Sequence, residues 1–235
     1  MRHRPIGRLV WAVFLLASAT AAIAVDGVIE INQSSALAGG VSSGDQQGFP
    51  VTLSDPGSYR LTSGLTATAG FGGIVVTADN VTLDLNGFSV ISPGGGNLSD
   101  GISLASRQNV EIRNGTIRGF ARAGIFTNNS THYIRVIGVH AIGNAINAID
   151  LQGNGNFVDG CIVGNSNNGI RVIDGSLVIN SVARGIAFRG LSVGDTSGYR
   201  SNVLTGNNGG DANPQVSSTG FQLGGNVCGT DTVCP

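Results

Sequence analysis

Lysine is absent from this chain, and all 13 basic residues are arginine. Charge of either sign is sparse at 11% of residues, and the 14 acidic residues include only Glu30 and Glu111 as glutamates. Nucleic-acid recognition starts from clustered positive charge, which a chain of this balance does not supply. Histidine is nearly as scarce: beyond His3 there are only His132 and His140, neither in a Ser/His/Asp or His-x-His arrangement. A nucleophilic triad needs a base with an orienting partner, so that chemistry has no support in the spacing. No Gly-x-Gly-x-x-Gly leads from a strand into a helix, which excludes reading the many glycines as nucleotide loops. After the N-terminus no apolar run is long enough to span a bilayer.

The one strongly apolar stretch is at the start. Residues 1–24 combine a basic beginning (Arg2, Arg4, Arg8), an apolar run from Leu9 to about Ala22, and Ala22-Ile23-Ala24 ahead of Val25. This is the pattern of a signal peptide with an A-x-A cleavage site; the alternative is a membrane anchor, for which the run is short and its flank too small. The expected mature chain is exported to the periplasm or the cell exterior, with no membrane partner after cleavage. It keeps ten arginines against the 14 acids, a net charge of −4 with histidine neutral, and it loses Trp11, the single tryptophan.

What is abundant is glycine, at 38 residues, and asparagine, at 21. Both tolerate left-handed backbone, so many tight turns between short strands are expected. Between Gly73 and Asn213 one short segment is written six times, opening at Gly73-Ile74, Gly101-Ile102, Gly124-Ile125, Ala148-Ile149, Gly169-Ile170 and Gly190-Leu191, at intervals of 28, 23, 24, 21 and 21 residues. A period in the low twenties without helical pattern predicts an all-β solenoid of about six to eight coils. The expected organisation is a signal peptide (1–24), an N-terminal cap with the first coil (25–72), the repeats (73–213) and a C-terminal cap with a disulfide loop (214–235). An antiparallel sandwich, the alternative, would not need a fixed inward column such as Ile102, Ile125, Ile149, Ile170 and Leu191.

Each opening segment alternates with period two, so Ile102 and Leu104 point inward while Ser103 points to solvent. A second strand follows, such as Val81–Leu85 or Asn109–Ile112, and runs into Asn86, Asn114, Asp159, Asn180 or Asn202. That recurrence predicts a column of asparagines handing side-chain hydrogen bonds from coil to coil, broken in the third copy by Ile137-Gly138. A third short strand, such as Cys161-Ile162-Val163, closes the coil.

Three strands per coil, with phrases such as Asn80-Val81-Thr82-Leu83-Asp84-Leu85-Asn86-Gly87-Phe88 and Arg113-Asn114-Gly115-Thr116-Ile117-Arg118-Gly119-Phe120, resemble the right-handed parallel β-helix of secreted bacterial repeat proteins, the pectate-lyase-like fold. The resemblance covers about residues 58–226. It implies that carbohydrate chemistry, where present, uses acidic side chains and arginine on the outer face of the first strand, often with Ca²⁺. The outward positions there are Val75, Ser103, Phe126, Asp150, Arg171 and Ser192. Phe126, Asp150 and Arg171 form an aromatic–acid–base stripe about 10 Å long, with Asn128 and Gln152 two residues further along. The bland reading of Asp150 and Arg171 is an exposed ion pair across adjacent strands.

Cys228 and Cys234 are expected to be disulfide-bonded, because export favours oxidation and no ligand set completes a zinc site; Cys161 is expected to be a buried thiol. No catalytic residue and no metal ligand is assigned. Asp79, Asp100, Asp174, Asp195 and Asp211 stand beside Gly, Asn or Ser and are expected to form turns. Two functional classes follow: a noncatalytic binding or structural module for an extended polymer such as a polysaccharide, or a polysaccharide lyase or hydrolase acting on an acidic polysaccharide. A hydrolase needs two carboxylates about 5–10 Å apart, and no adjacent Asp-Asp or Glu/Asp cluster is expected among the outward positions of this face. Calcium enters as a cofactor only with the lyase reading, and Phe126 or Tyr199 are the aromatics available for sugar stacking.

Overall fold

The computed structural model describes residues 27–230 and Cys234; the proposed signal segment lies outside the described residues. Most strands are only three residues long, and all pair in parallel with the equivalent strand of the next coil, building a β-solenoid of about seven turns. The opening strands make one eight-stranded sheet from Val51–Leu53 to Val216–Ser218, with Ile102, Ile125, Ile149, Ile170 and Leu191 in register and buried. The second and third strands make the other sheet, in which two coils fuse them into the 11-residue strands Gln108–Arg118 and His132–Ile142.

The recurrent opening glycine has a steric cause. A β-carbon on Gly101 would stand 2.5 Å from the carbonyl oxygen of Gly124, the equivalent residue of the next coil, and one on Gly73 would meet Gly101 at the same distance. The backbones approach too closely there for a side chain.

The corner after the second strand differs from expectation. Asn114, Gly138, Gly160, Asn180 and Ser201 occupy one station, all with φ between 52° and 62°. Asp159 precedes that station by one residue and Asn202 follows it by one, while Asn86 and Gly87 form a wider corner. The expected asparagine column is therefore not one column. What repeats is the left-handed backbone, which Gly, Asn and Ser can all supply.

The hydrogen-bonding ladder lies inside the corner instead. The backbone N–H of Cys161 donates to Ser181 Oγ (3.2 Å), that of Ser181 to Asn202 Oδ1 (2.9 Å), and that of Asn202 to Asn226 Oδ1 (3.0 Å). A second corner repeats the device: Ile134 N donates to Asn156 Oδ1 (3.0 Å), Asn156 N to Ser176 Oγ (3.1 Å) and Ser176 N to Ser197 Oγ (2.9 Å). At the third corner Asn144 accepts from Phe120 N at 3.2 Å and Asn207 from Ile186 N at 3.0 Å. These side chains are buried, and among the described residues every buried side-chain nitrogen or oxygen has a partner. Corners break the strand ladder, and an unpaired buried amide costs about 1–3 kcal/mol, so an inward amide or hydroxyl from the next coil replaces the lost backbone partner.

Side chains also occupy the backbone of the first coils. The Gln33 amide, on the helix Gln33–Ala38, donates to Thr66 O (3.1 Å) and accepts from Thr66 N (2.7 Å), as a neighbouring peptide would. Asp45 Oδ1 accepts from Thr52 N (2.7 Å), and the Ser42 hydroxyl donates to Thr52 O (2.6 Å). At the other end Cys228 and Cys234 form a disulfide with Cα atoms 5.2 Å apart, and Cys161 is a free thiol. Burial pushes the Cys161 thiol up to about 11, so it stays protonated and unreactive at neutral pH.

The two kinds of corner asparagine should behave differently. Asn202→Ala removes the acceptor for Ser181 N and the donor to Val178 O, and is expected to lower stability by about 2–4 kcal/mol in urea titration. Asn180→Gly, at an exposed left-handed position, is expected to change it by less than about 0.5 kcal/mol. Equal effects would contradict the distinction.

Candidate functional site

The outer row of the eight-stranded sheet reads Thr52, Val75, Ser103, Phe126, Asp150, Arg171, Ser192 and Ser217, each the direct cross-strand partner of the next. Phe126, Asp150, Arg171 and Gln152 come together on this face. Asp150 is nevertheless only 2% exposed, because neighbouring polar groups cover it. Asn147 Nδ2 donates to its Oδ2 at 3.0 Å, Gln152 Nε2 to the same oxygen at 3.1 Å, and Arg171 Nη1 to its Oδ1 at 3.3 Å. Asn168 Nδ2 in turn donates to Asn147 Oδ1 at 3.0 Å. Asn128 stands apart: its Oδ1 accepts from Ser106 N (2.9 Å) and from the Thr131 hydroxyl (2.7 Å), so it fastens a corner.

Two residues outside the sequence-derived stripe complete the cluster. Arg122 lies over Phe126, its guanidinium carbon 4.0 Å from the ring centroid, and donates from Nε to Asp100 Oδ1 at 2.7 Å with a second contact to Oδ2. Asp100 is buried and also accepts from Ala123 N (3.2 Å). The Asp100 carboxylate is thus an ion-pair partner and not the turn former its neighbours suggested, and by hydrogen bonding it holds the Arg122 guanidinium above its ordinary value. Asp100, Arg122, Asp150 and Arg171 alternate in sign along the stacking direction, and Arg122 also acts on Asp150 through space. The station just before each opening glycine or alanine holds Asp100, Ala123, Asn147, Asn168 and Arg189. Its polarity in four of the six copies is the signal that could have revealed Asp100; Arg122 stands one residue earlier, outside it.

Beyond Asp150 the face opens into a groove of about 460 Å³, lined by Asn147, Asn168, Arg171, Arg189, Ser192 and Ser217 among others. It shares Arg171, Ser192 and Ser217 with a second depression of about 250 Å³ that reaches Thr219. The groove therefore crosses successive coils along the axis of the solenoid. Its walls offer amides, hydroxyls and guanidinium groups. Tyr199, in contrast, is 3% exposed and packs inward between coils, so it cannot meet a ligand.

The chemistry of the donor set bears on calcium. A Ca²⁺ ion takes 6–8 oxygen ligands, whereas both carboxylates of this face are already engaged by Arg122 and Arg171, whose charges oppose a cation. These residues do not fit a calcium site. Comparison with protein-family models, curated proteins and solved structures finds no match to this chain.

Desolvation by burial raises the Asp150 carboxyl above its ordinary 3.8, with hydrogen bonds from Gln152 and the charges of Arg171 and Arg122 opposing the shift. A raised acid favours the protonated form in the folded state. The corresponding stability is present below pH 3.8 and is lost as pH rises through the folded value. Asp150→Asn, a neutral isostere, is expected to match the wild type in thermal unfolding at acid pH and to unfold at higher temperature at neutral pH. A variant less stable than wild type at pH 7 would mean that the arginine contacts outweigh the burial.

Proposed function

We propose that this is an exported β-helix protein, related in architecture to the pectate-lyase-like fold, that binds an extended polysaccharide without cleaving it. The observation that carries the reading is the groove running along the stacking axis, across successive coils, between Asp150 and Ser217, with Ile146 and Ile170 among its polar side chains. A polymer has the same one-dimensional form as a solenoid, and a face that presents an outward side chain at each strand spacing of about 4.8 Å offers it successive contacts. Arg171 is half-exposed and Arg189 donates only to the Pro214 carbonyl (2.6 Å) among the described residues, leaving guanidinium surface for hydroxyls or an acidic group of the ligand. The carboxylates are less suited to chemistry. Asp150 spends its oxygens on three donors and Asp100 on Arg122 and a backbone amide.

A second reading, an acidic-polysaccharide lyase or a hydrolase, draws on the pairing of Asp150 with Arg171, since arginine can neutralise a uronate carboxylate next to the proton being abstracted. The fold alone does not decide between the two. The test is a panel of acidic and neutral polysaccharides presented to the purified mature protein, with and without Ca²⁺, following binding and the ultraviolet absorbance of unsaturated products together. Binding without new absorbance, weakened about tenfold by Arg171→Ala, is the expected result. Absorbance that grows with time and vanishes in Arg171→Ala would establish the lyase instead. Binding that neither Asp150→Ala nor Arg171→Ala changes would move the ligand off this face.

A further inference from the structure

Two exposed aromatic rings share one ridge beside the polar face. The station two residues ahead of each opening glycine or alanine carries Phe71, Ser99, Arg122, Ile146, Asn167 and Phe188 in successive coils. Backbone bonds keep parts of it in step: Arg122 N donates to Ser99 O (2.9 Å), Ile146 N to Arg122 O (2.9 Å) and Phe188 N to Asn167 O (2.8 Å), whereas between Ile146 and Asn167 the pairing slips by one residue (Asn168 N to Ile146 O, 2.8 Å) and Phe71 N donates to Thr68 O (3.0 Å) within its own turn. Side chains of this ridge reach over the sheet, since Arg122 covers Phe126 and Ile146 lines the groove. Phe71 is 49% exposed and Phe188 57% exposed. Phe188 directly precedes Arg189, which also lines the groove.

The aromatics expected from sequence are not free for this role. Arg122 occupies a face of Phe126, and Tyr199 belongs to the core. Among the described residues no cation covers the ring of Phe71 or Phe188, and about half of each residue remains exposed, leaving apolar area that a ligand could cover. Five strand spacings separate their coils, a span of about 24 Å. Between them lie the Asp100–Arg122 pair, the Asn147 and Asn168 amides and the start of the groove.

We infer that Phe71 and Phe188 are the two aromatic platforms that hold the polysaccharide, each packing against the apolar C–H face of a sugar ring while the amides and guanidinium groups between them take its hydroxyls. The inference rests on the polysaccharide reading and adds to it a direction, along the ridge, and a minimum ligand span. It also gives the chain a means of gripping sugar without tryptophan, since a phenylalanine ring supplies the same apolar face without a polar handle.

The experiment uses the mature wild type, Phe71→Ala, Phe188→Ala and the double variant, with polygalacturonate, alginate, xylan and a β-glucan as probes in affinity electrophoresis and calorimetry. On the polysaccharide that the wild type binds, each single change is expected to weaken affinity about tenfold. The double change is expected to weaken it about a hundredfold, because the rings are too far apart to interact and their effects add. Thermal unfolding should stay cooperative in all three variants and shift far less than for a buried phenylalanine, since about half of each residue is exposed. Wild-type binding that Arg171→Ala weakens but neither phenylalanine change affects would overturn the platforms and leave the polysaccharide reading standing. Failure of the wild type to bind any of the four would overturn both.

Discussion

A strand of three residues cannot hold itself in place, so every coil of this protein depends on the backbone of the coil above and below. Within the strands that dependence is met by parallel ladders. At the corners the ladder stops while the chain stays buried, and there the backbone amides of Ile134, Cys161, Ser181 and Ile186 turn to side-chain oxygens of the next coil. The inward Asn and Ser positions are therefore as much a condition of the fold as the aliphatic columns. They also fix register, because a slip of one residue along the chain carries the inward amide or hydroxyl away from the backbone N–H it serves.

The same register builds the candidate face. Asp150 and Arg171 meet because their strands pair residue for residue, and Phe126 sits beside Asp150 for the same reason. Burial of Asp150 under Asn147, Gln152 and the arginines gives the face a fixed charge pattern that cannot collapse into solvent. A ligand would thus meet a rigid surface, which lowers the cost of ordering on binding. The ion pairs themselves belong to this scaffold: Arg122 is held between Asp100 and the ring of Phe126, and its main effect is positional.

Much of this was legible in the sequence, for reasons that differ by element. The inward isoleucines and the outward row were readable because the opening glycine recurs for a steric reason, the close approach of Gly101 to Gly124, and so marks the register directly. Pairing of Cys228 with Cys234 was readable from composition and spacing. The corner was misread because its left-handed residue is defined by backbone angle, which Gly138, Asn180 and Ser201 satisfy alike, while the side chains that carry the hydrogen bonds stand one residue away. The wider corner at Asn86-Gly87 shifted the alignment further. Arg122 and Asp100 were missed because they enter from the turn before the strand, where alternation no longer says which way a side chain points. Covering of Phe126 by Arg122 has no one-dimensional signature at all.

The most direct test of the account is native-state hydrogen exchange resolved to single amides. If inward side chains replace the ladder at the corners, the amides of Ile134, Cys161, Ser181, Ile186 and Asn202 should exchange as slowly as those of Ile125 and Ile149 in the middle of the eight-stranded sheet, through the same global opening. Corner amides that exchange orders of magnitude faster than the strand amides, as in ordinary surface turns, would contradict it and would leave the strand ladders alone holding the coils together.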